Sequence, residues 1–233
     1  MCKTIVAIHQ PNFFPWLGYF AKLARADAFV FLTGADYPKS GSSMSSYVNR
    51  VQVDVGGKSQ WWGCPVKREN GPQPISSVCI SDPDWSRKKL RTLEQNYARA
   101  PHFKDLWEPI RALIQRPATG IAEYNMANIR EISAWLGLKA EFMLDADFGE
   151  IGTSTERLVN IVSRVGGDVY ISGKGGDKYQ DKALFDQAGI SLTHTNFVPR
   201  PYPQGGGDFL PGLSILDALL QCGVEGTHAL LAT

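Results

Sequence analysis

The sequence predicts a three-layer α/β domain with a mainly parallel sheet and a helical insertion over about residues 84–137. Three observations point there. Short apolar runs recur at Thr4–Ile8, which is rich in β-branched residues, Ala28–Leu32 and Val169–Ser172, the appearance of strands buried on both faces. Helical patterns alternate with such runs, and the β-α-β-α-β order near the C-terminus favours parallel pairing. The stretch between 84 and 137 is instead helical almost throughout, broken at prolines.

The elements follow in order. Thr4–Ile8 is a strand, and the prolines of His9-Gln10-Pro11-Asn12-Phe13-Phe14-Pro15 bar regular structure after it. From Trp16 the pattern is helical, with Leu17, Phe20, Ala21, Leu23 and Ala24 on one apolar face. Asp27 ends it and Ala28–Leu32 is the second strand, joined by a right-handed crossover. Residues 33 to 50 form a polar loop. Asn49–Val55 and Gln60–Cys64 flank Gly56-Gly57 and read as a hairpin. Trp85–Tyr97, Phe103–Ile114 and Gly120–Leu136 are helices, with Gly137 as a cap for the last. Glu141–Leu144 is a strand. Thr153 to Glu156 has capping-box spacing before a helix carrying Leu158, Ile161, Val162 and Val165. Val169–Ser172, a glycine loop, a helix over Lys178–Ala188 and the strand Ile190–His194 follow. Ser214–Leu220 is an apolar helix that closes the domain and carries Asp217.

Composition narrows the function. The 233 residues are enough for one large domain without a staple. With 24 basic and 23 acidic residues the chain lacks the basic footprint of a nucleic-acid partner. The run Arg87, Lys88, Lys89, Arg91 lies in a helical pattern and reads as a solvated face. Cys2, Cys64, Cys79 and Cys222 have no CxxC spacing, so no metal site is expected, and their sparseness suits the reducing cytoplasm. The apolar run at the N-terminus is too short for a signal peptide or a membrane span, so no membrane partner is expected.

Four constellations hold chemistry-bearing residues. His9-Gln10-Pro11-Asn12 lies just past the end of the first strand, the edge where open parallel sheets bind ligands. Histidine there serves as acid, base or anion ligand, with Gln10 and Asn12 as amide donors and acceptors. Ser172-Gly173-Lys174-Gly175-Gly176 links a strand to a helix, where free N–H groups attract phosphate or carboxylate. It is no P-loop, and the residues alone fit a tight βα turn equally well. Asn49-Arg50, at a loop-to-strand junction, suits bidentate binding of an acid group, or is a surface arginine. Asp217, on its apolar helix, needs a partner if buried.

These segments, in this order, resemble the WbqC-like protein family. The resemblance rests on His9-Gln10-Pro11-Asn12-Phe13-Phe14-Pro15-Trp16-Leu17-Gly18-Tyr19-Phe20, Asn49-Arg50, Thr155-Glu156-Arg157-Leu158 through Ser172-Gly173-Lys174-Gly175-Gly176 and Tyr179, and Phe209 to Asp217. It implies a site with His9, Asn49 and Arg50 as catalytic residues. Gln10, Asn12, Tyr19, Tyr37, Ser172, Gly173, Lys174, Gly175, Gly176 and Tyr179 would contact substrate. One region departs from the family pattern: an acidic Asp-Asp-Val-Gln-Tyr stretch is replaced by Thr33-Gly34-Ala35-Asp36-Tyr37. A fainter similarity, to the HxGH nucleotidyltransferase and pantothenate-synthetase (HUP-like) architecture, lacks both histidines of the motif, with Trp16 and Tyr19 in their places.

The resemblance implies work in surface-polysaccharide or natural-product biosynthesis. The expected activity is amide formation, by acyl or aminoacyl transfer to an amino sugar or related small metabolite. The alternatives are a nucleotidyltransferase acting on a sugar phosphate, with ATP or another nucleotide as substrate, and a non-catalytic binding module. A carrier protein or other biosynthetic enzymes would be partners. His9 and the Gly173–Gly176 loop are expected within roughly 15 Å of one another, at the spacing of a few strands. Asn49-Arg50 would reach the same cleft, and Asp217 would close it.

Overall fold

A computed structural model describes residues 3–38, 47–69, 71–173 and 180–232. The first strand–helix–strand unit is β1 (Ile5–His9), α1 (Leu17–Ala24) and β2 (Ala28–Phe31). The chain then leaves the sheet and returns only at β7. The excursion contains the antiparallel hairpin β3 (Arg50–Asp54) and β4 (Ser59–Gly63), turning through Gly56 and Gly57 at positive φ. A two-residue ladder that the sequence did not announce follows, β5 (Val66–Lys67) with β6 (Cys79–Ile80). Then come α2 (Trp85–Tyr97), α3 (Phe103–Ile114) and α4 (Ile121–Trp135). The last part alternates β7 (Glu141–Leu144), α5 (Ser154–Val165), β8 (Val169–Ser172), α6 (Lys182–Gln187), β9 (Ser191–His194) and α7 (Ile215–Leu231).

The sheet order is β7-β2-β1-β8-β9, and every neighbouring pair is parallel. Counted by appearance in the chain, its strands run 3-2-1-4-5. Helices cover both faces, because alternate residues of each strand are apolar on both sides. Ala7, Phe29, Phe31 and Ile171 share a core with residues of α1, α4 and α7. Val6, Ile8, Val30 and Tyr170 face α5 and α6, where they meet Ile161, Val162 and Phe185. The three-layer α/β arrangement is therefore observed.

Several local expectations are corrected. Thr153 makes no side-chain cap bond, and α5 begins at Ser154 with φ 52° rather than in a capping box. Helix α6 starts at Lys182, not Lys178, where the Asp181 carboxylate accepts from the Ala183 N–H. Helix α7 runs far past Leu220. It breaks at Gly223 (φ 70°), where a Cβ would lie 2.7 Å from the His102 ring. On α1, Ala24 is exposed and Lys22 is buried instead.

Candidate functional site

The strand order places a topological switch between β1 and β8. Connections from the β1 side run one way and those from the β8 side the other, which leaves a crevice at the strands' C-terminal ends. The register records the parting. β1 follows β2 through His9↔Phe31 but follows β8 only through Ala7↔Ile171. His9 and Ser172 thus end adjacent parallel strands on one edge. The expected Lys174, Gly175, Gly176 and Tyr179 lie outside the described residues.

His9 keeps partial exposure beside this crevice. Its Nδ1 lies 3.0 Å from the Gln10 carbonyl oxygen. A carbonyl only accepts, so Nδ1 carries the proton and Nε2 is left as the accepting nitrogen. The Tyr19 hydroxyl donates to the same carbonyl at 3.1 Å, and its ring packs edge-on against His9 at 4.7 Å. Burial drives the Tyr19 hydroxyl well above its usual pKa, so it stays a donor. The loop after His9 is stapled from three directions. The Asn125 amide donates to Pro11 and Val48 carbonyls, Phe13 N–H to Tyr47, and Ser214 Oγ to the Phe14 carbonyl. Asn12 is buried within it.

Lys22 is the residue that sequence reasoning missed. It stands three positions after Tyr19, on the same face of α1, and is 3% exposed. The His9 carbonyl accepts from Leu32 on the β2 side. Carbonyls alternate along a strand, so the Ile8 carbonyl points toward β8, where pairing has stopped. Lys22 Nζ donates to that carbonyl at 2.9 Å. No carboxylate pairs with Lys22 among the described residues. Burial lowers its pKa from 10.5 to about 7. Burial, and then the nearby Lys22 charge, hold His9 well below its usual 6.5. The crevice therefore contains a neutral imidazole beside an amine that titrates near neutrality. No motif flags such a lysine, because on an amphipathic helix it looks like any solvated one.

The same edge carries a second cluster. Asp145, at the end of β7, is buried and accepts from Thr33 N (3.0 Å), Thr33 Oγ1 (2.7 Å), Gly34 N (2.9 Å) and Arg157 (3.1 Å). Thr33 and Gly34 belong to the stretch that departs from the acidic family pattern. Here their role is to supply donors, and Gly34 leaves room for Arg157, since a Cβ would lie 2.5 Å from its guanidinium. Asp145→Ala is expected to cost about 3–5 kcal/mol by leaving Arg157 uncompensated. Urea melts check this, and a loss below about 1 kcal/mol would remove the cluster's structural importance.

Asn49 and Tyr37 spend their polar atoms on structure. Tyr37 OH donates to Asn49 Oδ1 at 2.6 Å, and Asn49 Nδ2 donates to the Cys64 carbonyl at 3.0 Å. Arg50 lies against Trp61, and a file of ring contacts joins it to His9 through Tyr47 and Trp16. Asp217 is fully buried, and its oxygens accept from Tyr97, Tyr202 and Gln204. It ties α7 to α2 and to the 202–204 segment. Ser172 is buried, its hydroxyl donating to the Gly173 carbonyl at 3.2 Å. The buried Cys64 thiol is pushed up to about 12, mainly by burial, which leaves it inert at neutral pH. Beyond Trp16 an apolar cavity of about 270 Å³ opens between Leu17, Phe197, Tyr202, Phe209 and Leu213.

The model of the WbqC-like protein family matches residues 10–229. The chain belongs to the WbqC-like family. It is 30% identical over 223 residues to a Mycobacterium tuberculosis (strain ATCC 25618 / H37Rv) protein named "Uncharacterized protein Rv1507c", with 94% of each chain covered. No solved structure matches. The family match begins at Gln10 and takes in both sides of the crevice, so Lys22, Asp145 and Arg157 fall within the WbqC-like region along with Gln10, Asn12 and Tyr19. Among the described residues of this WbqC-like chain, no helix is long and apolar enough to cross a membrane.

Proposed function

We propose that this chain is a biosynthetic transferase that forms an amide, by acyl or aminoacyl transfer to the amine of an amino sugar or related small metabolite. The observation that carries the reading is the neutral His9 imidazole, its Nε2 free to accept, at the switch point beside Lys22. The amine nitrogen attacks the donor carbonyl while His9 Nε2 takes its proton. The C–N bond forms, and the donor's leaving group departs with the electron pair of the broken acyl bond. The Lys22 ammonium lowers the energy of negative charge on the carbonyl oxygen. Gly173 contributes too: the Ser172 carbonyl accepts from Thr195 on the β9 side, so by alternation the Gly173 N–H turns toward β1. The apolar cavity beyond Trp16 suits a short acyl group. The donor is either an ATP-activated acid or a preformed acyl carrier.

The test is mass-spectrometric detection of amide product from panels of amines and acyl donors. A positioned base is worth about 10²–10⁴-fold, so His9→Gln is expected to lose that much of kcat while melting like the parent. A folded His9→Gln protein with full turnover would favour a binding module instead.

The pH profile is a separate prediction. His9 must be neutral, so activity rises with pH through its depressed pKa, below 6.5. Lys22 must be charged, so activity falls as pH rises through about 7. The optimum is expected on the acid side of neutrality. A rate flat from pH 7 to 9 would exclude Lys22 from the charge-stabilising role.

A second reading, nucleotidyl transfer to a sugar phosphate, draws support from the 3-2-1-4-5 strand order, which suits a nucleotide at the switch point. Pyrophosphate release dependent on ATP or CTP would favour it.

A further inference from the structure

Two members of the basic run on α2 also face the β3–β4 hairpin. Lys88 and Lys89 share the wall of a pocket of about 370 Å³ with Arg50, Trp61, Asp82 and Trp85. The pocket lies between the β3–β4 hairpin and the first turns of α2. The two sides are pinned together, because Trp62 Nε1 donates to the Lys89 carbonyl at 3.1 Å. Arg50 is pinned from behind as well. Its strand partner is Gly63, where a Cβ would fall 2.5 Å from the Asn49 carbonyl oxygen and 2.6 Å from Arg50 Cβ.

Arg50 is held but not used. Its guanidinium carbon sits 4.7 Å from the Trp61 ring centroid, which fixes the plane of the fork. Its Nε is buried without a hydrogen-bond partner. Arg50, Lys88 and Lys89 form no ion pair among the described residues. The one acid in the wall, Asp82, spends an oxygen on the Asp84 N–H at 2.9 Å. Three cations and one acid thus line the same pocket. A planar donor fork braced by an aromatic ring is preorganised for an oxyanion, since little side-chain freedom is left to lose on binding.

The pocket also has a direction. From Trp61 the rings of Tyr47 (5.7 Å) and Trp16 (5.1 Å) lead to His9 (6.4 Å). Tyr47 and Trp61 are among the few large apolar side chains left exposed, at 39% and 41%. Contiguous exposed rings offer flat faces to a sugar or a base.

We propose that Arg50, Lys88 and Lys89 bind the phosphate or diphosphate of a ring-bearing metabolite, a sugar phosphate or a nucleotide, whose other end extends along Tyr47 and Trp16 toward His9. The binding stands apart from the transfer chemistry; only the placement of the far end rests on it.

Isothermal titration calorimetry of the full chain tests the site with pyrophosphate, glucose 1-phosphate and UDP, against glucose and uridine. The phosphorylated probes are expected to bind, more weakly as salt rises, and the neutral ones not. Arg50→Met and the double variant Lys88→Met/Lys89→Met are each expected to weaken binding about tenfold or more. UDP binding tighter than glucose 1-phosphate assigns the site to a nucleotide, and the reverse order to a sugar phosphate. If no phosphorylated probe binds at millimolar concentration, or both variants bind like the parent, the proposal fails. The role of His9 is then still tested by turnover alone.

Discussion

A Lys22→Met variant is expected to melt roughly 5–15 °C above the parent at pH 7, a gain without any new polar contact. The reason is linkage. The Lys22 amine titrates at about 7 in the fold against 10.5 when free, so between those values the unfolded chain binds the proton and the folded chain does not. Stability therefore rises with pH across this window on Lys22's account, and the burden is complete only below pH 7. At about 1.4 kcal/mol per unit the burden approaches ~5 kcal/mol. Methionine fills a similar volume, but it leaves the Ile8 carbonyl without its donor, a loss of about 1–3 kcal/mol. The net gain of a few kcal/mol at pH 7 should shrink steadily as pH rises and change sign at about pH 9. Thermal melts at four pH values measure it. A gap between variant and parent that does not vary with pH would mean that Lys22 is not buried as a cation. The same variant is expected to lose transfer activity, so stability and function would move in opposite directions, as they do where a strained group serves chemistry.

The opposite result is expected for Asp217→Ala. The carboxylate receives the Tyr97 hydroxyl at 2.9 Å, the Tyr202 hydroxyl at 2.6 Å and the Gln204 amide at 3.2 Å. Removing it leaves the Tyr97 and Tyr202 hydroxyls without their acceptor, while the Gln204 amide keeps the Leu210 carbonyl; at about 1–3 kcal/mol for each hydroxyl, a loss of roughly 2–6 kcal/mol is expected. Asp217→Asn keeps the shape and one acceptor and should lose less than half as much. Burial raises the carboxyl's pKa, against the pull of the three donors. It thus holds its proton more firmly in the fold than in the unfolded chain. Its own pH-dependent contribution is greatest in acid and is lost as pH rises through the raised folded value. Chemical denaturation of both variants at pH 7 decides. Equal losses for alanine and asparagine would show that packing, not the three hydrogen bonds, is what the position supplies.

The parts of this fold legible in the sequence are those where local signals agree. The bounds of β7, α2 and α3 match the sequence reading, where short apolar runs, helical periodicity and prolines act over a few residues. His9 and Ser172 were readable as strand ends on one edge because parallel strands leave little choice. The contacts that fill the site are of another kind. Lys22 is buried by elements distant in the chain, and nothing in residues 17–24 distinguishes it from the lysine of any amphipathic helix. Asp145 meets Thr33 across 112 residues. Asn49, an evident candidate from its neighbours, turns out to brace Tyr37 and Cys64. Lys88 lies on the exposed face that the basic run predicts, and it is the hairpin, far away in sequence, that makes it and Lys89 one wall of a pocket.

The stapling of residues 10–16 bears on how the protein comes into being. Strand β1 is made long before its second partner β8, and Thr4 N–H bonds a carboxylate 164 residues later. The Phe14 carbonyl waits still longer, for a hydroxyl 200 residues downstream. Contacts this remote must recover the entropy of closing most of the chain into a loop, so they form late. During synthesis one edge of β1 stays unpaired and open to wrong partners. The stapled geometry beside the crevice then arrives together with the docking of α7, so a chain cut before α7 lacks it.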